Sequence, residues 1–183
     1  MRILIVVLLM SFGSFAEEIR VRPATWGQKV IGMDLENFYK IDEKLYRSEQ
    51  GDDDDMKLLE KYGIKNLLNL RYYHNDEDEA EETKLKLYHI PMKAQSITYA
   101  HIVKSMKVIR DSKGPVLVHC WHGSDRTGTI VASYRITFQN WTKEQALDEL
   151  KNGGYGYHAM FKSIPKLILS LDEEQLRKDV MAK

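Results

Sequence analysis

Apolar residues fall along this chain in short blocks whose spacing alternates between that of strands and that of helices. Leu45-Tyr46-Arg47 reads as a short strand. The acidic run Asp52 to Asp55 then leads into Met56, Leu58 and Leu59; acids complement the positive end of a helix dipole, and Gly63 stands where such a helix would stop. Ile64 to Leu70 predicts an interior strand and Leu85 to Pro91 a further one. Thr98 suits the cap of a helix carrying Ile102, Val103, Met106 and Ile109 on one side, ended by Gly114-Pro115. Val116-Leu117-Val118 is apolar at successive positions, as strands buried on both faces are. Ile130, Val131, Tyr134 and Phe138 recur at helical spacing, and Thr142-Lys143-Glu144-Gln145 spells a capping box for the next helix. Asn152-Gly153-Gly154-Tyr155-Gly156 breaks that helix, and Leu167, Ile168, Leu171 and Leu176 predict one last amphipathic helix. The segment from Trp26 to Phe38 has mixed polarity and reads as irregular. This alternation predicts an α/β fold with a central, mainly parallel sheet flanked by helices.

Residues 1–16 stand apart from that pattern. Arg2 gives a positive start, Ile3 to Met10 is an unbroken apolar run, and Ser14-Phe15-Ala16 places small residues where a signal peptidase reads. A transmembrane helix needs about 20 apolar residues, so a cleaved leader is expected rather than a stable anchor. Residues 17–183 then form one domain with a core over about 38–178, and the mature product is expected in the periplasm or secreted. The 183 residues suit a single domain, and no Gly/Ser-rich or Pro-rich stretch divides them. With 27 basic against 27 acidic residues, the chain lacks the basic field of a nucleic-acid binder. A single cysteine, Cys120, excludes an intramolecular disulfide and a Cys-rich zinc module. Asp76 to Glu82 holds six acids in seven residues and reads as a solvated loop or helix face, without calcium-loop spacing.

The chemistry concentrates in His119-Cys120-Trp121-His122-Gly123-Ser124-Asp125-Arg126-Thr127-Gly128, between an apolar strand and a helix expected to begin near Thr127. A strand, a tight loop and a helix N-terminus make an anion cradle, because loop N–H groups and the helix dipole converge on the same place. Gly123 lets the backbone turn without a Cβ clash. Arg126 can hold two phosphate oxygens through its planar fork. The same field favours a thiolate at Cys120, placed for in-line attack on phosphorus, and the Thr127 hydroxyl can donate to the sulfur as it leaves.

At these residues the sequence resembles the protein tyrosine phosphatase superfamily, whose signature is His-Cys, five residues, Arg and Ser/Thr. More narrowly it is similar to small bacterial dual-specificity-type enzymes, including the tyrosine-phosphatase-like inositol polyphosphatases often called phytases. The resemblance runs from Leu45-Tyr46-Arg47-Ser48 to Tyr157-His158. It implies a dual-specificity-phosphatase-like fold, Cys120 as nucleophile, Arg126 as phosphate clamp, Thr127 as leaving-group assistant, and a cradle formed by the backbone of Trp121, His122, Gly123, Ser124, Asp125 and Arg126. The family's usual aspartate general acid is missing from Met92-Lys93-Ala94-Gln95-Ser96-Ile97. Atypical plant and fungal members acting on inositol pyrophosphates are similar in this respect. Asp125 is the first candidate to protonate the leaving oxygen, with a structural ion pair as its alternative; His122, Asp76 and Asp78 follow. Asn152 and His158 are candidates to position the hydrolytic water, although glycine flexibility alone accounts for that segment.

The expected activity is metal-independent, cofactor-free hydrolysis of phosphomonoesters. An impaired phosphate-binding module is the alternative that the missing acid suggests. A rhodanese-type sulfurtransferase is disfavoured by Arg126-Thr127-Gly128, and zinc at Cys120, His119 and His122 by the lack of a converging fourth ligand. Lys93, His122, Lys151, His158 and Lys162 are expected to ring the mouth, favouring an inositol polyphosphate over a phosphotyrosine protein. The expected partner is therefore a small phosphate ester or a phosphoprotein, with no nucleic acid, and the chain is expected to be a monomer. If the leader is cleaved as read, N-terminal sequencing of protein recovered from its native cell will begin at Glu17; a retained Met1 would contradict it.

Overall fold

The computed structural model describes residues 21–182, so the expected leader lies outside the described residues. In chain order the elements are β1 (Gln28–Lys29), β2 (Tyr39–Lys40), β3 (Leu45–Ser48), α1 (Asp53–Tyr62), β4 (Asn66–Asn69) and β5 (Lys86–His89). A 3-10 turn at Ala94–Ser96 precedes α2 (Tyr99–Asp111), β6 (Val116–His119), α3 (Asp125–Phe138), α4 (Lys143–Asn152), α5 (Ser163–Leu169) and α6 (Glu173–Met181). The sheet order is β1-β2-β3-β6-β4-β5. The pairs β3–β6, β6–β4 and β4–β5 are parallel, whereas β1 and β2 add an antiparallel edge. The expected mainly parallel sheet flanked by helices is the fold observed; the segment read as irregular supplies β1, leads into β2 and buries Trp26, Leu35 and Phe38.

Side chains alternate across a strand with period two, which divides the core in this sheet. Tyr46, Leu67 and Leu117 align across β3, β4 and β6 and face Met56 and Leu59 of α1. Leu45, Leu68, Val116 and Val118 face the other way, toward the larger core formed with α2, α3, α4, α5 and α6. Helix α3 is buried along almost its whole length. It accommodates Thr129, Ser133 and Thr137 there because each hydroxyl donates to the carbonyl four residues earlier, at 2.7–2.8 Å.

The caps follow the chain's local chemistry. Asp52, Thr98 and Thr142 each accept from a backbone N–H three residues on, and Gly63 ends α1 at φ 114°. The last predicted helix is in fact two. Asp172 accepts from the Gln175 N–H and starts α6, while Lys143 Nζ takes up the Leu169 and Leu171 carbonyls at the break. Leu171 and Leu176 are buried nonetheless, so the apolar spacing was right about burial and blind to the break. No helix among the described residues is long and apolar enough to cross a membrane.

One buried ion pair joins the C-terminal helices to the entry segment. Arg135 of α3 donates to both oxygens of Glu149 on α4 at 2.8 and 2.9 Å, with both side chains no more than 3% exposed. Glu149 also accepts from the Gly27 N–H at 2.7 Å and from the Tyr155 hydroxyl at 3.2 Å. Removing one partner of such a pair leaves an uncompensated buried charge. Glu149→Gln should therefore cost about 3–5 kcal/mol in urea unfolding, and an Arg135→Met/Glu149→Leu double variant should lose less than the single one.

Candidate active site

The C-terminal ends of the parallel strands place Ser48, His119, Asn69 and His89 in one row. The crevice beyond that edge is where open α/β sheets bind ligands. Cys120 follows directly on β6 and is 2% exposed, and the loop from Trp121 to Ser124 leads into α3.

The loop's shape is set by what holds its carbonyls. Trp121 O accepts from the Gln50 N–H at 3.1 Å, and His122 O from Asn37 Nδ2 at 2.7 Å. Gly123 O accepts from Arg47 Nη2. All peptide bonds among the described residues are trans, so each N–H points opposite to the carbonyl of its own peptide plane. With three consecutive carbonyls anchored outward, the N–H groups of His122, Gly123 and Ser124 turn to the inner side of the loop, as an anion cradle requires. Gly123 sits at φ 66°, and a Cβ there would come within 2.4 Å of the Ser48 carbonyl oxygen. Only glycine fits.

Behind the loop lies a residue that the sequence reading left as an ordinary strand position. Arg47 is fully buried and lies over the Tyr155 ring at 3.6 Å, with Nε and Nη1 lacking a hydrogen-bond partner among the described residues. Burial lowers its pKa, while Tyr155, Glu149 and Cys120 supply opposing negative potential. Tyr155 is itself pushed up to about 12, chiefly by burial and then by Glu149. A charged residue inside an otherwise apolar strand was the signal that would have marked Arg47.

The loop opens into a cleft of about 730 Å³. Its lining includes Arg126, Trp121, His122, Asp125, His158 and Lys93, so the structure brings together most of the residues expected there. Arg126, in the first turn of α3, makes one long hydrogen bond among the described residues, from Nη1 to Met92 O at 3.4 Å. The Thr127 hydroxyl is buried without a hydrogen-bond partner among the described residues. Ser124 precedes α3, and its hydroxyl donates to His122 O at 3.3 Å. Lys93 holds its ammonium 4.4 Å from the Tyr72 ring centroid, and Trp121 is 54% exposed at the mouth rather than packed inside. Arg71 also lines the cleft, its guanidinium 4.2 Å from the Trp121 ring centroid. Sequence reasoning missed it, although its place just past the end of β4 is where such a sheet presents functional groups.

The structure changes what was expected of six residues. Asp125 faces the cleft, but Oδ1 accepts from the His158 N–H at 2.9 Å and Oδ2 pairs with His158 Nδ1 at 2.8 Å, so the presumed proton donor is held as an acceptor. Asp76 does not reach the cleft. It is buried beneath the strand ends, taking bonds from His119 Nε2 at 2.9 Å, Asn69 at 2.8 Å and Gln50 at 3.1 Å. Burial acts to raise its pKa, and the His119 bond and charge, helped by Gln50, outweigh this and hold the carboxyl below its ordinary value. Asp78 is exposed and outside the cleft lining. Asn152 ends α4 with its amide donating back to Asp148, and Lys151 and Lys162 line a separate depression.

His74, Asp76 and Glu79 place ligand atoms within 4.8 Å of one another. The donor set fits a metal poorly, because Asp76 is already bonded by three side chains and His74 pairs with Glu79 at 2.7 Å.

Residues 33–157 match the model of the tyrosine phosphatase family. The chain belongs to that family. It is a phosphoric monoester hydrolase of the protein tyrosine phosphatase superfamily, as the signature loop implied. The dual specificity protein phosphatase TpbA of Pseudomonas aeruginosa is 29% identical over 166 residues, covering 88% of this chain and 74% of that protein. The inositol diphosphatase SIW14 of Saccharomyces cerevisiae is 26% identical over 126 residues, covering 63% of this chain and 44% of that protein. A crystal structure of P. aeruginosa TpbA in complex with phosphotyrosine superposes with a TM-score of 0.79 at 26% identity, covering 89% of this chain and all of that one.

The glycine in this phosphatase loop is directly testable. Gly123→Ala forces the loop off Ser48, so phosphate release should fall by about a hundredfold or more while unfolding free energy drops by about 1–3 kcal/mol. Wild-type turnover in this variant would mean that the cradle does not need its present shape.

Proposed function

We propose that the protein hydrolyses phosphomonoesters through a phosphocysteine intermediate, with Cys120 as the nucleophile. The observation that carries this reading is the outward anchoring of the Trp121, His122 and Gly123 carbonyls, which turns the loop N–H groups to its inner side between Cys120 and the first turn of α3. A phosphoryl group seated there takes hydrogen bonds from the loop and from the Arg126 fork. The Cys120 sulfur bonds to phosphorus as the ester oxygen departs; water then attacks phosphorus and releases the sulfur as phosphate forms. The buried Thr127 hydroxyl, without a hydrogen-bond partner among the described residues, is the donor available to the departing sulfur. No step calls for a metal or an organic cofactor.

For the substrate, the cleft's charge supports a small polyanionic ester such as an inositol polyphosphate. Arg71, Lys93 and Arg126 line it with His122 and His158, and Asp125 is the only acid among its described lining residues. A phosphotyrosine or dual-specificity activity is the second reading, favoured by the aromatic rim of Tyr72, Tyr73, Trp121 and Phe161, against which an aryl ester would pack. Export through the leader at residues 1–16 agrees with the first, since soluble esters are then the accessible substrates.

Phosphate release measured across inositol hexakisphosphate, phosphotyrosine peptides and nucleotides decides between them. Cys120→Ser should abolish turnover on every active substrate while keeping affinity for the ester. Arg126→Lys should cost about 2–4 kcal/mol in kcat/KM through loss of the bidentate contact. EDTA should leave the wild-type rate unchanged. Tight ester binding without turnover by the wild-type protein would identify an impaired phosphate-binding module instead.

A further inference from the structure

The loop that usually carries the family's acid contains none here, and Lys93 stands in it with its ammonium over Tyr72. Of the carboxylates weighed for the proton, Asp76 is sealed beneath the sheet edge and Asp78 lies outside the cleft. Asp125 is in the cleft, but both of its oxygens are engaged by His158.

That engagement has a chemical direction. A carboxylate only accepts, so the hydrogen between His158 Nδ1 and Asp125 Oδ2 at 2.8 Å belongs to the imidazole. The other ring nitrogen, Nε2, is then the one left to exchange a proton. The ring is half-exposed and lines the cleft together with Arg126. The backbone N–H of His158 is tied to the same carboxylate at 2.9 Å, and Phe161 packs edge-on to the ring at 6.1 Å between centroids, so the imidazole is held from two sides. His122 is the neighbouring alternative, 6.2 Å from His158 between ring centroids. Among the described residues no hydrogen bond fixes its ring.

We propose that His158 is the general acid and base of the reaction and that Asp125 is its positioning residue. This deepens the hydrolase reading above and rests on it. In the first step the sulfur–phosphorus bond forms, the phosphorus–oxygen bond of the ester breaks, and the leaving oxygen takes the proton from Nε2 of the imidazolium. In the second, water attacks phosphorus and gives a proton back to Nε2, the sulfur–phosphorus bond breaks, and the imidazolium is restored. Asp125, at the start of α3, stabilises the imidazolium and sets which nitrogen faces the cleft. The titratable and charged groups that line the cleft with the ring are Asp125, Arg126, His122, Arg71 and Lys93, with the Tyr157 phenol, raised by burial and by Asp125, on the segment that carries it.

The test is kcat/KM of the purified protein on aryl phosphates whose leaving groups run from p-nitrophenol to phenol, since this parameter reports the steps up to loss of the leaving group. p-Nitrophenolate departs without a proton and phenol does not. His158→Asn should lower the rate on phenyl phosphate by about a hundredfold or more and on p-nitrophenyl phosphate by less than about fivefold. It should also abolish the loss of rate on phenyl phosphate that follows deprotonation of the acid at high pH. Asp125→Asn should show the same leaving-group bias with a smaller amplitude. The inhibition constant of inorganic phosphate and the thermal midpoint monitor the cradle and the fold, and His158→Gln serves if His158→Asn is unstable. Equal losses on both esters, or the bias appearing in His122→Asn but not in the His158 variants, would overturn the proposal. A wild-type protein that releases phosphate neither from the series nor from inositol hexakisphosphate would instead refute the hydrolase reading itself.

Discussion

A guanidinium with no solvent exposure is the constraint around which this site is organised. Arg47 lies inside the sheet with two nitrogens unpartnered among the described residues, and a buried cation is sustained only by negative potential nearby. The Tyr155 face, the Glu149 carboxylate and Cys120 provide it. The one hydrogen bond that the guanidinium makes to backbone, at Gly123 O, turns a peptide of the loop so that its N–H faces inward. The interaction that places the buried charge therefore also shapes the phosphate cradle. Glu149 extends the arrangement through Arg135, Gly27 and Tyr155, so α3, α4 and the entry segment are tied to the loop's rear wall.

A second polar layer supports the strand end that delivers Cys120. His119 is locked by Asp76, and Asp76 by Asn69 and Gln50, while Gln50 accepts from Arg71 at the cleft. A buried aspartate and asparagine are costly unless satisfied, and here the Asp76 carboxylate accepts from His119, Asn69 and Gln50. Helix α3 contributes differently, by aiming its N-terminus at the cradle while its hydroxyls bond back along its own axis.

The chain carries equal numbers of acids and bases, yet the cleft is lined by Arg71, Lys93 and Arg126 against one acid. That acid is engaged by the backbone N–H and the imidazole of His158. Charge separation on folding, rather than net charge, thus makes the cleft a place for anions. The surrounding tyrosines and tryptophan set guanidinium and ammonium groups against ring faces, which keeps those cations extended over the mouth.

Local signals in the sequence were enough for the elements and for the phosphate loop. Capping residues, apolar periodicity and the run from His119 to Gly128 act within a few residues of one another, so Cys120, Gly123, Arg126 and the parallel sheet were all legible. Partnerships across many residues were not. Whether Asp125 faces a substrate or His158, whether Asp76 is solvated or sealed under His119, and whether Lys151 joins the cleft or another depression depend on packing between elements distant in the chain. The same is true of Arg47 and Arg71, whose positions look ordinary until β6 slots between β3 and β4. Residue type and spacing determine which chemistry is available, and only the closed tertiary structure, by choosing each polar group's partner, decides which groups remain free to perform it.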